Sequence, residues 1–216
     1  MRPRLTTVLT SVLIPGLVLL SGTGPAAAEI NEHTIKFATA GAQGSPIALG
    51  MDRFAEIVEE KSGGQITVRR FPGGTLGGDI QTLSALQGGT VEMTTMNAGL
   101  LAGVVKDFVI VDFPFLFATP QEADAVMDGP VGKKLLEKLP ERGLVGLAYW
   151  ELGFRHINNN SRPIATAEDI EGLKMRVIPT PIYIDFMNAL GANAVPMPFT
   201  ETYTRSEERR VGKECR

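Results

Sequence analysis

Arg176 is the residue whose type and position best suit it to a chemical role. Between Leu173 and Val177 apolar and basic residues alternate, which predicts a β-strand with Arg176 on the face opposite to the apolar side chains. The residue comes near the carboxyl end of this strand, just before a predicted helix, where α/β proteins bind their ligands. A guanidinium group there can bind a carboxylate through two parallel charge-assisted hydrogen bonds. The alternative is an ordinary solvated arginine on a strand.

Groups typical of enzyme active sites are scarce. His33 and His156 have no partner at metal-ligand spacing, and no Gly-x-Ser-x-Gly motif occurs. We interpret His33 as a solvated residue and His156 as a structural one. The run 71–79 is rich in glycine but lacks the Lys-Ser/Thr ending of a nucleotide loop, so we favour a strand-to-helix turn in which Asp79 caps the helix. The sequence therefore predicts no catalytic residue, no metal site and no cofactor.

Residues 1–28 have the pattern of a secretory signal peptide. Two arginines precede an apolar run, and three alanines stand before Glu29, the expected first residue of the mature chain. The alternative is a membrane anchor, but polar residues, Pro15 and Gly16 interrupt the run well short of the roughly 20 residues that span a bilayer. No cysteine lies near Ala28 for lipid attachment. We expect a protein that is exported and does not span the membrane after cleavage of the signal.

Residues 205–216 are unusually dense in charge and resemble the translation of a sequencing-library adapter. We expect a non-native tail; a genuine charged chain end is the alternative. Cys215, the only cysteine, lies in this tail, so thiol chemistry and disulfides are not expected of the rest. The whole chain has 21 Lys and Arg against 24 Asp and Glu, and the acidic excess grows when signal and tail are set aside. Such a charge does not suit nucleic acid, whose binding depends on cationic contacts to phosphate.

Strand and helix patterns alternate along the rest of the sequence, which indicates a layered α/β fold. Ser45 is a suitable N-cap, Pro46 a suitable first helical residue, and apolar residues follow at helical spacing as far as Val58. Strands are predicted at 34–39, 65–71, 91–96, 144–150, 155–158 and 173–178, with a short buried strand within 108–117. Helices are predicted from 46, from 79, from a capping box at 119–122, at 130–139, around Asp169 with Thr166 as its cap, and at 181–190.

Several motifs resemble, in their usual order, the DctP-type solute-binding proteins of TRAP (tripartite ATP-independent periplasmic) transporters. They are the stretches 71–78, 113–117, 149–155, 160–164, 172–177, 190–193 and 196–203. The resemblance covers nearly all of residues 29–204 and is lost after Thr204. It implies a two-lobed periplasmic substrate-binding clamshell of the α/β class. Residues 29–150 would form the first lobe, and 151–204 the start of a second lobe that is incomplete here.

The same resemblance implies the residues that contact substrate. Arg176 would be the principal carboxylate-binding arginine, and Arg155 a second cation near the ligand. Trp150 is a weaker candidate, with packing between the lobes as its alternative role. Phe199 would be an aromatic wall and Asn97 a polar contact, while Gln43 is, like Trp150, a weaker candidate.

A function follows from the resemblance as an expectation. The protein would be a periplasmic receptor that captures a small organic acid and delivers it to a TRAP permease driven by an ion gradient. The alternative is a periplasmic sensor module that passes the ligand to a signalling receptor. A periplasmic enzyme and a receptor for an ATP-driven importer are disfavoured, the first because a catalytic constellation is not seen and the second because its motifs differ.

Overall fold

The computed structural model describes residues 31–205. The predicted signal peptide and residues 206–216 of the predicted tail lie outside this range. The strands are β1 (His33–Thr39), β2 (Ile66–Phe71), β3 (Met93–Thr95), β4 (Lys174–Val177) and β5 (Asn193–Pro196). The α-helices are α1 (Pro46–Lys61), α2 (Asp79–Gln87), α3 (Pro120–Met127), α4 (Pro130–Leu136), α5 (Pro181–Ala189) and α6 (Phe199–Arg205). Short 3-10 helices occupy Ala98–Gly103, Lys106–Asp112, Pro140–Arg142 and Glu168–Ile170.

Strands β1, β2 and β3 form a parallel sheet in the order β2–β1–β3. Helix α1 connects β1 to β2, and α2 connects β2 to β3. The core of this part is a cluster of Phe37, Met51, Ala55 and Val68, which joins β1 and β2 to the apolar stripe of α1. Because the strands are parallel, the loops that follow them emerge at one edge of the sheet.

Helix α1 begins where the sequence predicted. The Oγ of Ser45 accepts a hydrogen bond from the backbone N–H of Ala48 at 3.3 Å, and Pro46 is the first helical residue. Helices α3, α4 and α5 also begin with proline, which has no N–H to lose in the first turn. Thr119 caps α3, since its Oγ1 accepts from the N–H of Glu122, while the Glu122 carboxylate accepts from the N–H of Ala118, one residue before the cap.

Replacement of Ser45 by alanine is expected to lower the free energy of unfolding by about 1 kcal/mol, because it removes the side-chain acceptor at the N-terminus of α1. Urea denaturation followed by circular dichroism measures the change. The control is Ser84→Ala, whose exposed hydroxyl donates within α2 to the carbonyl of Ile80; it should change stability by less than about 0.5 kcal/mol. Equal effects of the two substitutions would contradict the capping role.

A second core surrounds the 3-10 helix Lys106–Asp112. Phe108 is fully buried there, in a cluster with Leu83, Val105, Leu135, Leu139 and Leu144. The buried strand predicted within 108–117 is therefore wrong. The N–H of Phe108 bonds to the carbonyl of Val105, and that of Phe113 to Ile110, so the backbone satisfies its hydrogen bonds locally.

The segment 144–159 carries no helix or strand, which corrects the strands predicted at 144–150 and 155–158. Backbone groups of residues 145–158 form no hydrogen bond with other described residues. A strand requires a neighbour that accepts and donates such bonds, and none lies beside this segment within residues 31–205. Several of its apolar side chains are consequently exposed, among them Val145, Leu147 and Leu152.

Strands β4 and β5 form a second parallel sheet, in which Arg176 is opposite Val195. Helix α5 connects them, and it begins after Thr180 as predicted. The buried residues of this part are Ile170, Leu173, Met175 and Ala192. Thus the described residues contain two parallel sheets whose strands alternate with helices along the chain, as the predicted alternation of strands and helices indicated.

Two predicted caps differ from the structure. The N-cap of α2 is Gly78, and Asp79 is the first helical residue rather than the cap. The sequence predicts that Thr166 caps the helix around Asp169, but the side-chain acceptor there is Asp169. Its carboxylate accepts from the backbone N–H groups of Ala165 and Thr166, both at 2.9 Å. These bonds lower the pKa of Asp169. The helix there is a single 3-10 turn, Glu168–Ile170.

Candidate functional site

Arg176 lies near the carboxyl end of the second sheet. Met175 and Val177 are buried and Arg176 is half-buried, so the predicted alternation of β4 is confirmed. The guanidinium donates from Nε and Nη2 to the carbonyl oxygen of Met197, the residue after β5, at 2.9 and 2.6 Å. A guanidinium has five N–H donors, so three form no hydrogen bond with the described residues. Arg176 is held in place across the ends of both strands and keeps donors for a ligand.

The glycine-rich loop between β2 and α2 packs against the start of α6. A methyl group added at Gly74 would overlap Cγ2 of Thr200, and one added at Gly78 would lie 3.3 Å from the Oγ1 of Thr200. Gly74 also has φ of +69°, a conformation that favours glycine. The loop is the strand-to-helix turn that the sequence predicted, and its small residues allow the ends of the two sheets to approach each other.

Asp79 is close enough to Arg176 for their charges to interact. Burial raises the pKa of Asp79, and the charge of Arg176 lowers it by a smaller amount. Burial lowers the pKa of Arg176, the positive charge of Arg155 lowers it further, and Asp79 opposes both effects. The two arginines and this carboxyl group therefore share one region. Sequence reasoning missed Asp79 as a site residue; its place after the loop at the carboxyl end of β2 was the signal available.

Arg155 lies over the ring of Tyr183, with its Cζ 5.2 Å from the ring centroid. Tyr183 is part of the first turn of α5, the helix that directly follows β4. Arg155 is exposed, and it contacts the helix that directly follows the strand of Arg176. The two predicted cations are close enough for their charges to interact.

Asp112 connects the first part of the chain to α5. Its Oδ1 accepts a hydrogen bond from the hydroxyl of Tyr183 at 3.0 Å. Burial raises the pKa of Asp112, while this hydrogen bond and the charge of Arg155 lower it by smaller amounts. Burial and the charge of Asp112 raise the pKa of Tyr183. Sequence reasoning singled out neither Asp112 nor Tyr183.

The other predicted site residues are more dispersed. Phe199 begins α6 two residues after Met197, and its ring is about half exposed. Asn97 caps the 3-10 helix Ala98–Gly103, because its Oδ1 accepts from the N–H of Gly99 at 2.9 Å. Its carboxamide oxygen is therefore already engaged.

Trp150 and Gln43 lie against the first sheet and α1. The indole of Trp150 packs on Gly50 and meets the ring of Phe37 edge-on, with centroids 6.2 Å apart. Gln43 is exposed beside a depression of about 340 Å³ that Asp52 and Arg70 also line. The structure does not bring either residue into contact with the arginine pair.

Other kinds of site find little support in the described part of the chain. His33 and His156 are both exposed. Within residues 31–205, no three His, Cys, Asp or Glu residues come together as a metal would require. None of the helices in that range has the length and apolar character needed to cross a membrane.

The arrangement of Arg176, Arg155 and Asp79 is chemically suited to holding an organic anion. Two guanidinium groups supply planar sets of N–H donors that match a carboxylate. A carboxylate such as that of Asp79 accepts hydrogen bonds from hydroxyl groups. The region can therefore bind a molecule with an acid group at one end and hydroxyl groups nearby.

Comparison with known proteins gives a consistent assignment. Residues 37–211 match DctP, described as bacterial extracellular solute-binding protein, family 7. The chain is 33% identical over 208 residues to the 2,3-diketo-L-gulonate-binding periplasmic protein YiaO of Escherichia coli, covering 96% of this chain and 62% of that protein.

Solved structures agree with this match. A TRAP periplasmic solute-binding protein from Ochrobactrum anthropi, with its C-terminus bound in the ligand-binding pocket, is 61% identical with a TM-score of 0.72, covering 82% of this chain and 55% of that one. The sugar acid binding protein DctPAm from Advenella mimigardefordensis, in complex with galactonate, is 42% identical with a TM-score of 0.81, covering 84% and 58%. Each of these relatives is considerably longer than the matched region.

The structural neighbours have the two-lobed α/β fold of periplasmic solute-binding proteins, and the alternating strands and helices of this chain belong to it. With most of its length matched by the family, the chain belongs to the DctP family of bacterial extracellular solute-binding proteins.

Proposed function

We propose that this chain is a periplasmic solute-binding receptor that captures a small organic acid by its carboxylate and delivers it to a TRAP permease. The observation that carries the proposal is the position of Arg176, half-buried and fixed to the carbonyl of Met197 beside a second arginine and a partly buried carboxyl group. Binding, rather than bond breaking, is the chemistry that these groups perform.

The pair of arginines is the reason for proposing a negatively charged ligand. Arg155 and Arg176 repel each other, and this repulsion contributes to lowering the pKa of Arg176. An anion placed between them would relieve the repulsion while accepting hydrogen bonds from both groups. We therefore expect the highest affinity for a ligand that carries at least one full negative charge.

Asp79 favours a ligand with hydroxyl groups over one with a second carboxylate. Its partly buried carboxylate would repel another negative charge but would accept a hydrogen bond from a hydroxyl group. We therefore propose a hydroxylated monocarboxylate, such as a sugar acid, as the preferred class. Support comes from the relative from Advenella mimigardefordensis, whose complex contains galactonate.

The organisation proposed for the protein follows the two sheets. Strands β1–β3 belong to a first lobe over residues 29–150, and β4 and β5 to the part of a second lobe within 151–204. Residues 1–28 would direct export to the periplasm, where relatives such as the E. coli protein are named as acting.

Galactonate is expected to raise the melting temperature of the chain by several degrees at concentrations well above Kd, because a ligand that binds only the folded state stabilises it by mass action. The measurement is a thermal-shift titration followed by calorimetric determination of Kd. Galactitol is the matched control, since it keeps the hydroxyl groups and lacks the carboxylate. Succinate tests the discrimination against dicarboxylates.

Two outcomes would contradict the proposal in different ways. The first outcome is a cooperatively folded protein whose melting temperature does not change with galactonate, succinate or other small acids at about 100 times the Kd typical of receptors. In that case the carboxylate-binding function is wrong. If succinate binds more tightly than every hydroxylated monocarboxylate, the function stands and the proposed ligand class is wrong.

A further inference from the structure

Arg155 lies on a segment that no regular element holds in place. Residues 144–159 carry no helix or strand, and the guanidinium of Arg155 is exposed. Its described contact is with the ring of Tyr183, 5.2 Å from the centroid. An exposed cation–π contact is worth only about 0.5–1 kcal/mol, so it orients Arg155 only if the ring itself is fixed.

The ring of Tyr183 is fixed by Asp112. The phenolic hydroxyl donates to Asp112 Oδ1 at 3.0 Å, across 71 residues of sequence. Asp112 is 7% exposed, and its Oδ2 is buried without a hydrogen-bond partner among the described residues. A buried carboxylate oxygen without a partner is costly, and such a cost at a native position calls for an explanation.

Gly99 completes the environment of Asp112. A methyl group added at Gly99 would overlap the Oδ2 of Asp112, so the carboxyl group is pressed against the backbone of the 3-10 helix Ala98–Gly103. That helix is in turn capped by Asn97. The carboxyl group therefore has little freedom to move, and Tyr183 is bound to a rigid acceptor.

We infer that Asp112 is a positioning residue for anion binding: through Tyr183 it holds Arg155 in the orientation in which it faces the same ligand as Arg176. This inference rests on the proposed function. It explains why an unsatisfied buried carboxyl group is retained, since Asp112 both accepts from Tyr183 and attracts the positive charge of Arg155. The groups that face Asp112 are Tyr183 from α5, Arg155 from the irregular segment and Gly99 from the backbone.

A double-mutant cycle on the full chain tests the inference, with galactonate as the probe and Kd from calorimetry. Arg155→Ala should weaken binding roughly tenfold, and Asp112→Ala roughly fivefold, within the range seen for coupled neighbours. In the Arg155→Ala background, Asp112→Ala should weaken binding by less than about twofold, because its effect passes through Arg155. Asp112→Asn keeps an acceptor for the Tyr183 hydroxyl but loses the negative charge, so its affinity should lie between that of the wild type and that of Asp112→Ala.

The cycle separates positioning from a structural role. If Asp112→Ala and Arg155→Ala act independently, so that their effects on Kd multiply, Asp112 does not position Arg155 and the inference is overturned. The same holds if Asp112→Asn binds as weakly as Asp112→Ala while both remain folded. If the wild-type chain binds no small acid at all, the proposed function fails and the inference fails with it. If the wild type binds but the effects of the two substitutions are uncoupled, the inference alone fails.

Discussion

Replacement of Arg176 by alanine is expected to weaken carboxylate binding by about 100-fold or more, equivalent to roughly 3 kcal/mol. The substitution removes the fork of N–H donors from the position that Met197 holds fixed. It also leaves the carboxyl group of Asp79 without the positive charge that partly offsets its burial. The measurement is calorimetric titration of galactonate, made well below the melting temperature of the variant.

Two further variants make the result specific. Arg176→Lys keeps the charge but not the planar pair of donors, so it should bind more weakly than the wild type and more tightly than the alanine variant. Arg53→Ala removes an exposed arginine that pairs with Glu56 on α1, and it should change Kd by less than about twofold because Arg53 is not part of the candidate site and its loss should disturb the fold little. A loss of affinity under twofold in Arg176→Ala would exclude Arg176 as the anchor.

Replacement of Phe108 by alanine is expected to lower the free energy of unfolding by about 3–5 kcal/mol, the range for truncating a buried aromatic side chain. Phe108 has no exposed surface and lies in the buried cluster with Leu83, Val105, Leu135, Leu139 and Leu144. The loss is large compared with the 5–15 kcal/mol that stabilises a typical domain. Urea denaturation followed by circular dichroism measures it.

The matched control removes another phenylalanine from the same stretch of sequence. Phe115 is 93% exposed, with a φ of 59° and one edge-on contact to Phe186. Phe115→Ala should change stability by less than about 0.5 kcal/mol, as exposed substitutions usually do. If the two alanine variants unfold at the same urea concentration, Phe108 is not part of the core described above.

The elements that could be predicted from sequence are those whose signals are local. The cap at Ser45, the proline after it and the apolar stripe lie within a few turns of each other, and α1 is found where they indicated. The segment 108–117 was misassigned because an apolar run alone does not distinguish a strand from a buried 3-10 turn. The strand at 144–150 was wrong for another reason: its pattern is local, but a strand also needs a neighbour, and sequence alone does not reveal whether one is present.

The residues of the candidate site divide in the same way, into those with a local sequence signal and those without one. Alternation along β4 was enough to predict that Arg176 leaves the buried face, whereas the role of Arg155 came only from family resemblance. Asp79, Asp112 and Tyr183 were missed because their partners are distant in sequence, and a lone acid or tyrosine carries no mark of such a contact. The ligand-binding roles assigned to all six residues, Arg176, Arg155, Phe199, Asn97, Trp150 and Gln43, stay predictions.

The unpaired segment 145–158 has a consequence for how the protein exchanges hydrogen with solvent and associates with itself. Its amides lack hydrogen-bond partners among the described residues, so they should exchange with deuterium far faster than those of β1 or α1. These N–H and C=O groups bond to no other described residue, and exposed Val145 and Leu147 lie in the same segment, so another extended chain can pair with it. At high concentration, oligomers held by intermolecular β-pairing should therefore grow from this segment first.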